Sequence, residues 1–400
     1  MQILFDHQIL DAQVRGGISR YFHQLVCALE AGHLAEVRLP PIYTDNECFR
    51  PLLAERGLER NGFRSRLVQK IRQSGLPRKE IERAWRRTKH RQNQKASIQK
   101  LKEQDFDVFH PTYYDPYFLD SLQGKPFVLT IYDMIHERFP DYFKPDDRTG
   151  EHKAILAREA AGIIAPSSAT KEDILKHLDV DPDKITVIHL ASSPAGESEE
   201  IAVPGRYVLH VGERCRYKNF QAFLVAFAGL ASTFPDLHLV CASPKGFDRS
   251  ELDLIQRLGL ADRCVSLSVN DAQLTFLYRN AALLILPSLY EGFGLPILEA
   301  FACDCPVALS DTSCLPEIAG DAALYFDPSD VTSIEKALRK LLSDHALRQV
   351  LIHRGRERLQ RFSWATTAER TAAVYRKCLA DGSRLGRPDA VGVGGRAAGT

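Results

Sequence analysis

Pro287-Ser-Leu-Tyr-Glu-Gly-Phe-Gly-Leu-Pro-Ile-Leu-Glu299 is the stretch of sequence that decides the fold. The apolar run 281–286 immediately before it predicts a buried parallel strand. Pro296 suits the first turn of a following helix, because the N–H that proline lacks has no helical partner there. A strand, a glycine-rich turn and a helix together form the repeating unit of a parallel α/β sheet.

The same stretch has a carboxylate at each end of its turn. Gly292 and Gly294 allow the backbone to pass close to a ligand, and the free N–H groups at a helix start attract phosphate. Glu291 and Glu299 only accept hydrogen bonds, which suits them to hold the hydroxyls of a sugar nucleotide. The alternative, left open by this stretch alone, is a Gly/Pro loop whose acid is stabilised by the helix dipole.

The composition predicts a two-domain globular enzyme. The chain has 400 residues, with 44% hydrophobic and 26% charged residues. No apolar run approaches the length needed to span a bilayer, and residues 1–6 are typical of a first strand rather than a signal peptide. Nine cysteines without the spacing of a disulfide framework predict a reducing cytoplasm.

A basic block covers residues 56–102. The chain carries a net charge of +1, yet this block holds 16 Lys and Arg residues against three acids. Such a block attracts phosphates or an anionic membrane surface, and its apolar residues suit a basic amphipathic helix. A helical excursion that is merely solvated is the alternative. Nucleic acid is not an expected partner, because no aromatic-rich or zinc-finger pattern accompanies the charge.

Strand-like and helix-like segments alternate in two blocks. This order predicts two Rossmann-like, doubly wound α/β domains that face each other across a cleft. The N-terminal domain is expected over 1–195, with a basic helical insert at 56–102, and the C-terminal domain over 205–365. A helix over 366–380 should pack back on the N-terminal domain, and the Gly/Arg/Ala-rich tail over 381–400 should be disordered.

A second glycine turn follows the predicted strand 207–211. Arg214, Arg216 and Lys218 come directly after it. Fixed cations at the mouth of a strand can neutralise a diphosphate leaving group as a glycosyl–phosphate bond breaks. A basic turn at the surface is the alternative, since long basic side chains are mostly exposed.

The motifs together resemble those of retaining glycosyltransferases of family 4, which have the GT-B fold. The likeness is strongest to the mannosyltransferase-B-like subgroup of O-antigen and exopolysaccharide enzymes, and it runs from the first strand to about Tyr375. The motifs that carry it, in chain order, are Gly16-Gly17, Phe109-His-Pro-Thr112, Thr130-Ile-Tyr-Asp-Met134, Arg138-Phe-Pro-Asp-Tyr142, Val211-Gly212, Lys218-Asn219, 287–294 and 315–328.

The resemblance implies a donor site in the C-terminal domain and an acceptor site in the N-terminal domain. Arg214 and Lys218 would hold the donor diphosphate, Glu291 the donor sugar and Glu299 the ribose hydroxyls. The glycine loop at 16–17 would approach the transferred sugar. The implied donor-binding residues are Gly16, Gly17, Arg214, Lys218, Gly292, Phe293, Gly294, Leu295 and Glu299.

One segment departs from the family pattern. Tyr132 and Asp133 stand where the family usually has a His-Asp pair, and with Glu291 they form the predicted catalytic group. Tyrosine is a poor base at neutral pH, but a front-face transfer, in which the departing phosphate takes the acceptor proton, does not require one. His110 and His136 are the acceptor-side candidates for an imidazole, and a buried structural histidine is the alternative for either.

The predicted function is transfer of a hexose, with mannose from GDP-mannose as the first choice, to a glycan of lipopolysaccharide, O-antigen or exopolysaccharide synthesis. The expected acceptor is a lipid-linked oligosaccharide, and the expected location is the cytoplasm or the inner face of the plasma membrane. No cofactor and no metal are expected, because Asp105-Phe-Asp107 and Asp181-Pro-Asp183 are typical of a strand start and a turn. The alternatives are a GT-B-fold epimerase or phosphorylase and a non-catalytic sugar-nucleotide sensor.

Overall fold

The computed structural model of the chain describes residues 1–60, 78–192 and 195–385. The strands are β1 Gln2–Phe5, β2 Glu36–Arg38, β3 Val108–His110, β4 Val128–Thr130, β5 Gly162–Ala165, β6 Ile185–Val187, β7 Arg206–Val211, β8 Leu237–Ala242, β9 Cys264–Leu267, β10 Leu283–Leu286, β11 Val307–Ser310 and β12 Leu324–Phe326. The α-helices are α1 Gln8–Ala12, α2 Gly17–Ala31, α3 Phe49–Glu55, α4 Arg78–Glu103, α5 Ile135–Arg138, α6 Thr149–Glu159, α7 Ser168–His177, α8 Phe220–Ala228, α9 Arg249–Arg257, α10 Asp271–Asn280, α11 Leu295–Ala302, α12 Leu315–Ala319, α13 Val331–Ser343, α14 His345–Leu359 and α15 Trp364–Leu385.

The C-terminal half contains a six-stranded sheet in the order β12-β11-β10-β7-β8-β9. All of its strand pairs are parallel, which requires helical crossovers. The strand order reverses between β7 and β10, whose pairing aligns Val208 with Leu283. Ligands of doubly wound sheets bind at such a reversal, beyond the carboxyl ends of the strands. The turns after β7 and β10 are therefore the expected place for a site.

The N-terminal half has two parallel three-stranded sheets, ordered β2-β1-β3 and β4-β5-β6. A parallel bridge between Phe109 and Phe127 joins them edge to edge. Their apolar faces are filled by helices on both sides, as buried Phe22 and Leu25 of α2 illustrate. With the six-stranded sheet, the described residues form three parallel sheets that alternate with helices along the chain, which confirms the predicted fold class.

Strand β2 is missing from the sequence-based prediction. Its three residues, Glu36-Val-Arg38, carry one apolar side chain, so the segment has neither an apolar run nor a clear alternation. The strand forms because β1 supplies a parallel partner, with Gln2 beside Glu36. Pairing with β1 thus determines the strand conformation of a segment whose own β propensity is weak.

The basic block contributes one long helix, α4. It buries Ile81, Trp85 and Leu101 on the face that packs against the N-terminal half. The opposite face exposes cations at helical spacing, including Arg83, Arg87, Arg91 and Lys95. Residues 61–77 of the predicted insert lie outside the described residues.

Helix α15 lies against the N-terminal half, in contact with α2, β4 and β5. It extends to Leu385, beyond the predicted end at 380. Each added residue of a formed helix gains a hydrogen bond, so Gly382 does not end it. The remainder of the predicted tail, 386–400, lies outside the described residues.

Among the residues that the structure describes, no helix is both long and apolar enough to cross a membrane.

Candidate active site

One cavity opens where β7 and β10 end, and a second, larger cavity adjoins it at Leu295. The smaller has a volume of about 180 Å³, and its lining includes Gly17 and Asp133 from the N-terminal half. Lys218 and Glu291 line it from the C-terminal half. The larger has a volume of about 460 Å³, and Leu295 lines both cavities. The two halves therefore enclose two cavities that meet at Leu295, the smaller of them at the predicted place.

The turn between β10 and α11 forms one wall of the smaller cavity, and Gly292, Phe293, Gly294 and Leu295 all line it. Gly294 has a φ of +91°, a left-handed conformation that favours glycine. A Cβ at Gly292 would lie 1.8 Å from the backbone oxygen of Tyr132. Glycine at 292 is thus what allows the two halves to approach this closely.

Glu291 forms an ion pair with Lys218 at the base of this turn. The Lys218 Nζ lies 2.6 Å and 2.8 Å from the two carboxylate oxygens of Glu291, and Ser288 Oγ donates to Oε1 at 2.6 Å. Both charged side chains are partly exposed to the smaller cavity. The arrangement offers a ligand one cation and one acceptor at adjacent points, as phosphate and sugar hydroxyls require.

Glu299 lies one cavity further along, on α11. Arg20 Nη1 donates to its Oε1 at 2.5 Å, and the hydroxyl of Tyr278 donates to Oε2 at 2.8 Å. Arg20 also contacts Asp271 at 2.9 Å. Burial raises the pKa of Tyr278 well above 10, and the negative charge of Glu299 adds to this shift, so the phenol stays a donor. A partly buried carboxylate held by two donors can exchange one of them for ligand hydroxyls.

Comparison with protein families matches both halves of the chain. Residues 15–191 match the model described as Glycosyltransferase Family 4, and residues 196–358 match the model described as Glycosyl transferases group 1. The chain is a family 4 glycosyltransferase. Together, the two matches leave out residues 1–14, 192–195 and 359–400.

Curated relatives of this glycosyltransferase include mannosyltransferases. The O-antigen chain mannosyltransferase B of Escherichia coli is 29% identical over 288 residues, which is 67% of this chain and 74% of the relative. The MMP alpha-(1->4)-mannosyltransferase of Mycolicibacterium hassiacum is 32% identical over 56% of each chain. Enzyme class and hexosyl transfer follow from these relationships.

Solved structures show the same fold. The sucrose-phosphate synthase of Thermosynechococcus elongatus superimposes with a TM-score of 0.65 at 19% identity, over 95% of this chain and 99% of that one. The Anabaena protein HepE, solved with UDP and glucose, gives a TM-score of 0.66 at 18% identity, over 94% and 100%. The glycosyltransferase therefore has the GT-B fold.

Tyr132 and Asp133 contribute differently to the cleft of the glycosyltransferase. Tyr132 is buried, and its hydroxyl donates to the backbone oxygen of Thr112 at 3.2 Å. Burial raises the pKa of Tyr132 well above 10, with further contributions from neighbouring tyrosines, so it stays protonated. Asp133 is partly exposed in the smaller cavity, and buried Lys153 donates to its backbone oxygen at 2.9 Å. Asp133 is thus the better placed of the two to meet an acceptor.

The structure does not bring Arg214 to the cleft. Its guanidinium is buried, with 4% of the side chain exposed, and it donates to both oxygens of Glu251 at 2.8 Å and 3.2 Å. It also lies over the ring of Phe247 at 4.8 Å. Glu251 belongs to the capping box of α9, and this buried carboxylate draws the arginine away from Lys218. A diphosphate role for Arg214 finds no support in its placement.

The two histidine candidates also lie apart from the cleft lining. His110 is fully buried, its Nδ1 paired with Tyr375 at 2.7 Å and its Nε2 with Thr130 at 2.9 Å. Burial lowers the pKa of His110 to about 3, so it stays neutral. His136 stacks on Phe143 at 3.8 Å, and burial lowers its pKa as well. His110 is therefore better described as a buried structural histidine than as an acceptor-side base.

The glycine loop before α2 reaches the cleft through Gly17. A Cβ at Gly17 would lie 3.4 Å from Leu295 of the opposite half, which is an ordinary contact. A Cβ at Gly16 would meet the side chain of Gln13 at 2.2 Å, so Gly16 shapes the loop itself. Arg20, one turn into the same helix, was missed at the sequence level. Its helical spacing from Gly17 was the available signal.

Proposed function

We propose that this glycosyltransferase transfers mannose from GDP-mannose to a glycan acceptor of O-antigen, lipopolysaccharide or exopolysaccharide synthesis, with retention at the anomeric carbon. The observation that carries the proposal is the Lys218–Glu291 pair, which faces Gly17 and Asp133 across a cavity of sugar size. The names of the two mannosyltransferase relatives support the choice of sugar.

The donor would lie along the two adjoining cavities. The nucleoside would occupy the larger cavity, where Glu299 would accept its ribose hydroxyls. The diphosphate would lie between Lys218 and the N–H groups at the start of α11, which favour anions. The mannose would then meet Glu291 and the backbone of Gly292 in the smaller cavity. This order follows from the position of Leu295 between the two cavities.

The transfer would use the departing phosphate as its own base. An acceptor hydroxyl oxygen forms a bond to the anomeric carbon while the bond from that carbon to the phosphate oxygen breaks. The acceptor proton passes to the departing phosphate oxygen, and Lys218 stabilises the negative charge that develops there. No basic imidazole is required, which agrees with Tyr132 at this position and with the burial of His110.

The acceptor would be lipid-linked and presented at a membrane surface. Helix α4 exposes Arg83, Arg87 and Arg91 one turn apart, and Arg86 and Lys95 extend this basic face. Each cation near an anionic leaflet contributes about 1 kcal/mol of attraction, which falls off within a Debye length. The basic face would hold the N-terminal half, with its acceptor side, at the inner membrane surface.

The donor test compares thermal stabilisation and sugar transfer with GDP-mannose, UDP-glucose and ADP-glucose. GDP-mannose should stabilise the wild type and Lys245→Ala, a matched control whose lysine is 75% exposed, but not Lys218→Ala. Glu291→Gln should bind the nucleotide and lose transfer. Preference for UDP-glucose would contradict the mannose assignment, and donor conversion without acceptor would contradict transfer.

The membrane test measures co-sedimentation with vesicles of anionic and of neutral lipid. Binding to anionic vesicles should fall as salt is raised, and the triple variant Arg83→Glu, Arg87→Glu and Arg91→Glu should lose it. A matched triple variant changes exposed arginines elsewhere, namely Arg257, Arg361 and Arg370, to glutamate. Equal loss in both triple variants would show that net charge, and not helix α4, determines binding.

A further inference from the structure

A cluster of two histidines and one aspartate joins the end of β1 to the basic helix. His7 follows β1, Asp11 lies on α1, and His90 lies on α4. One ligand atom from each of these residues lies within 4.8 Å of the other two. His90 Nδ1 is 3.3 Å and His7 Nε2 is 4.0 Å from the same oxygen of Asp11, Oδ2.

The Nε2 atom of His7 is the observation that points to a ligand. His7 is fully buried, and this nitrogen has no hydrogen-bond partner. An unsatisfied buried polar atom costs about 1–3 kcal/mol, and such atoms are rare in folded proteins. The atom faces Asp11 and the exposed ring of His90, and His90 leaves the cluster open to solvent on one side.

Surrounding groups hold the first two residues in a ligating geometry. Ser97 Oγ pairs with Nδ1 of His7 at 2.8 Å, which orients Nε2 into the cluster. Asn93 donates to the other oxygen of Asp11, Oδ1, at 2.6 Å, which leaves Oδ2 turned toward the two histidines, where His90 Nδ1 contacts it at 3.3 Å. Metal-binding histidines and carboxylates are commonly fixed in this way by a second hydrogen bond. Lys89 approaches Asp11 from the Oδ1 side, at 3.9 Å, and also contacts Asp45.

We propose that His7, Asp11 and His90 bind a zinc-class divalent metal ion that fastens the basic helix α4 to the end of β1. Two imidazoles and one carboxylate suit zinc, with water as the fourth ligand. Zinc bonds of about 2.0–2.2 Å require the three atoms to draw closer. Rotation of the exposed His90 ring would bring in its nitrogen, and a small turn of the Asp11 carboxylate would close the 4.0 Å gap to His7 Nε2. The site goes beyond sugar transfer: it fixes the helix that carries the proposed membrane-binding face, and it takes no part in the reaction.

The experiment titrates chelator-treated full-length protein with Co(II) and follows the visible absorption of a four-coordinate site. The wild type should bind one Co(II) per chain, and Zn(II) should displace it. His90→Ala should lose the absorption without unfolding, because His90 is exposed. Ser97→Ala should retain the site with affinity about 10–100-fold lower, as expected for loss of a supporting hydrogen bond.

The matched control is His353→Ala, which removes an exposed histidine paired with Glu357 at 3.4 Å, one helical turn away. This variant should bind Co(II) as the wild type does. Absorption that survives in His90→Ala, or that is lost equally in His353→Ala, would overturn the site. Zn(II) should also raise the melting temperature of the wild type but not of His90→Ala. These readouts need no donor or acceptor, so they stand or fall independently of the mannosyl-transfer proposal.

Discussion

The two walls of the cleft are built in different ways. On the C-terminal wall, Ser288, Glu291 and Glu299 come from one local segment, the turn and helix that directly follow β10, and Lys218 joins them from the turn after β7. On the N-terminal wall, Arg20 and Asp133 come from separate elements and meet the cleft only when the whole half has folded. A wall built from one local segment can be recognised from its sequence, whereas a wall built by packing of distant segments cannot.

The largest loss of activity is expected from a substitution at the point where the two walls touch. Gly292→Ala would place a Cβ 1.8 Å from the backbone oxygen of Tyr132 and push the halves apart. A misplacement of about 1 Å can cost about 10²-fold in rate, so kcat/KM should fall by about that factor. Steady-state transfer assays measure it, with Gly205→Ala as control, since a Cβ there meets nothing within 4 Å. Unchanged turnover in Gly292→Ala would show that the halves work further apart than in this structure.

A smaller effect is expected from Arg20, the residue of the N-terminal wall that reaches Glu299. Arg20→Ala removes a charge-assisted hydrogen bond that fixes the Glu299 carboxylate, an interaction of about 1.5–3 kcal/mol. The KM for the donor should rise about tenfold, with kcat nearly unchanged. Arg50→Ala, which removes an exposed arginine paired with Glu59, is the control. A lower KM in Arg20→Ala would mean that Arg20 competes with the donor for Glu299.

A contact between the two halves, outside the cleft, should make the stability of the protein depend on pH. Glu317 of the C-terminal half accepts from the backbone N–H groups of Ser168 and Ala169 and pairs with His189 at 2.7 Å. Burial alone would raise the pKa of Glu317, but these hydrogen bonds outweigh it and hold the pKa below 4.5. The stability that Glu317 contributes is therefore complete above its unfolded pKa and is lost as the pH falls through the folded one.

Glu317→Gln should accordingly lower the free energy of unfolding by about 1 kcal/mol at neutral pH. The difference from the wild type should shrink as the pH falls below about 4.5, because the carboxylate of the unfolded chain takes up a proton there and that of the folded protein only at lower pH. Urea unfolding across this range measures it, with the exposed Glu369→Gln as control. A difference that grows on acidification would contradict the assigned direction of the pKa shift.

The smallest effect is expected at Tyr132, where the family pattern has an imidazole. Tyr132→Phe removes one hydrogen bond, to the backbone of Thr112, worth about 1 kcal/mol. Because burial holds the pKa of Tyr132 well above 10, the pH profile of kcat/KM should not move. Exposed Tyr142→Phe is the control. Loss of a titrating limb in Tyr132→Phe would show that the phenol exchanges a proton during transfer.

The sequence was sufficient to predict site residues that lie within one strand–turn–helix unit. The apolar run before Glu291 and the proline after it predicted β10 and α11, and their connection then placed Glu291 beside Lys218 and Glu299 in the adjoining cavity. The parallel pairing within the three sheets follows from the alternating units, because parallel strands need helical crossovers. Local pattern and global fold agree in these regions, which makes them predictable.

The sequence was insufficient where a distant partner decides a residue's position. Arg214 forms a buried ion pair with Glu251, and His110 is hydrogen-bonded to Tyr375 of the last helix. Their separations along the chain are 37 and 265 residues, so no local pattern could reveal either pairing. Tyr278 was missed for the same reason, since its contact with Glu299 identifies it, whereas Arg20 had one local signal, its helical spacing from Gly17.

The last helix has a mechanical consequence. The chain passes from the N-terminal to the C-terminal half between β6 and β7, and it returns before α15, which lies on α2, β4 and β5. Two connections between rigid bodies leave one easy relative motion, a rotation about the line that joins them. A donor would therefore enter and a nucleotide leave by an opening of fixed direction, and cutting either connection alone would leave the halves attached but free to turn about other axes.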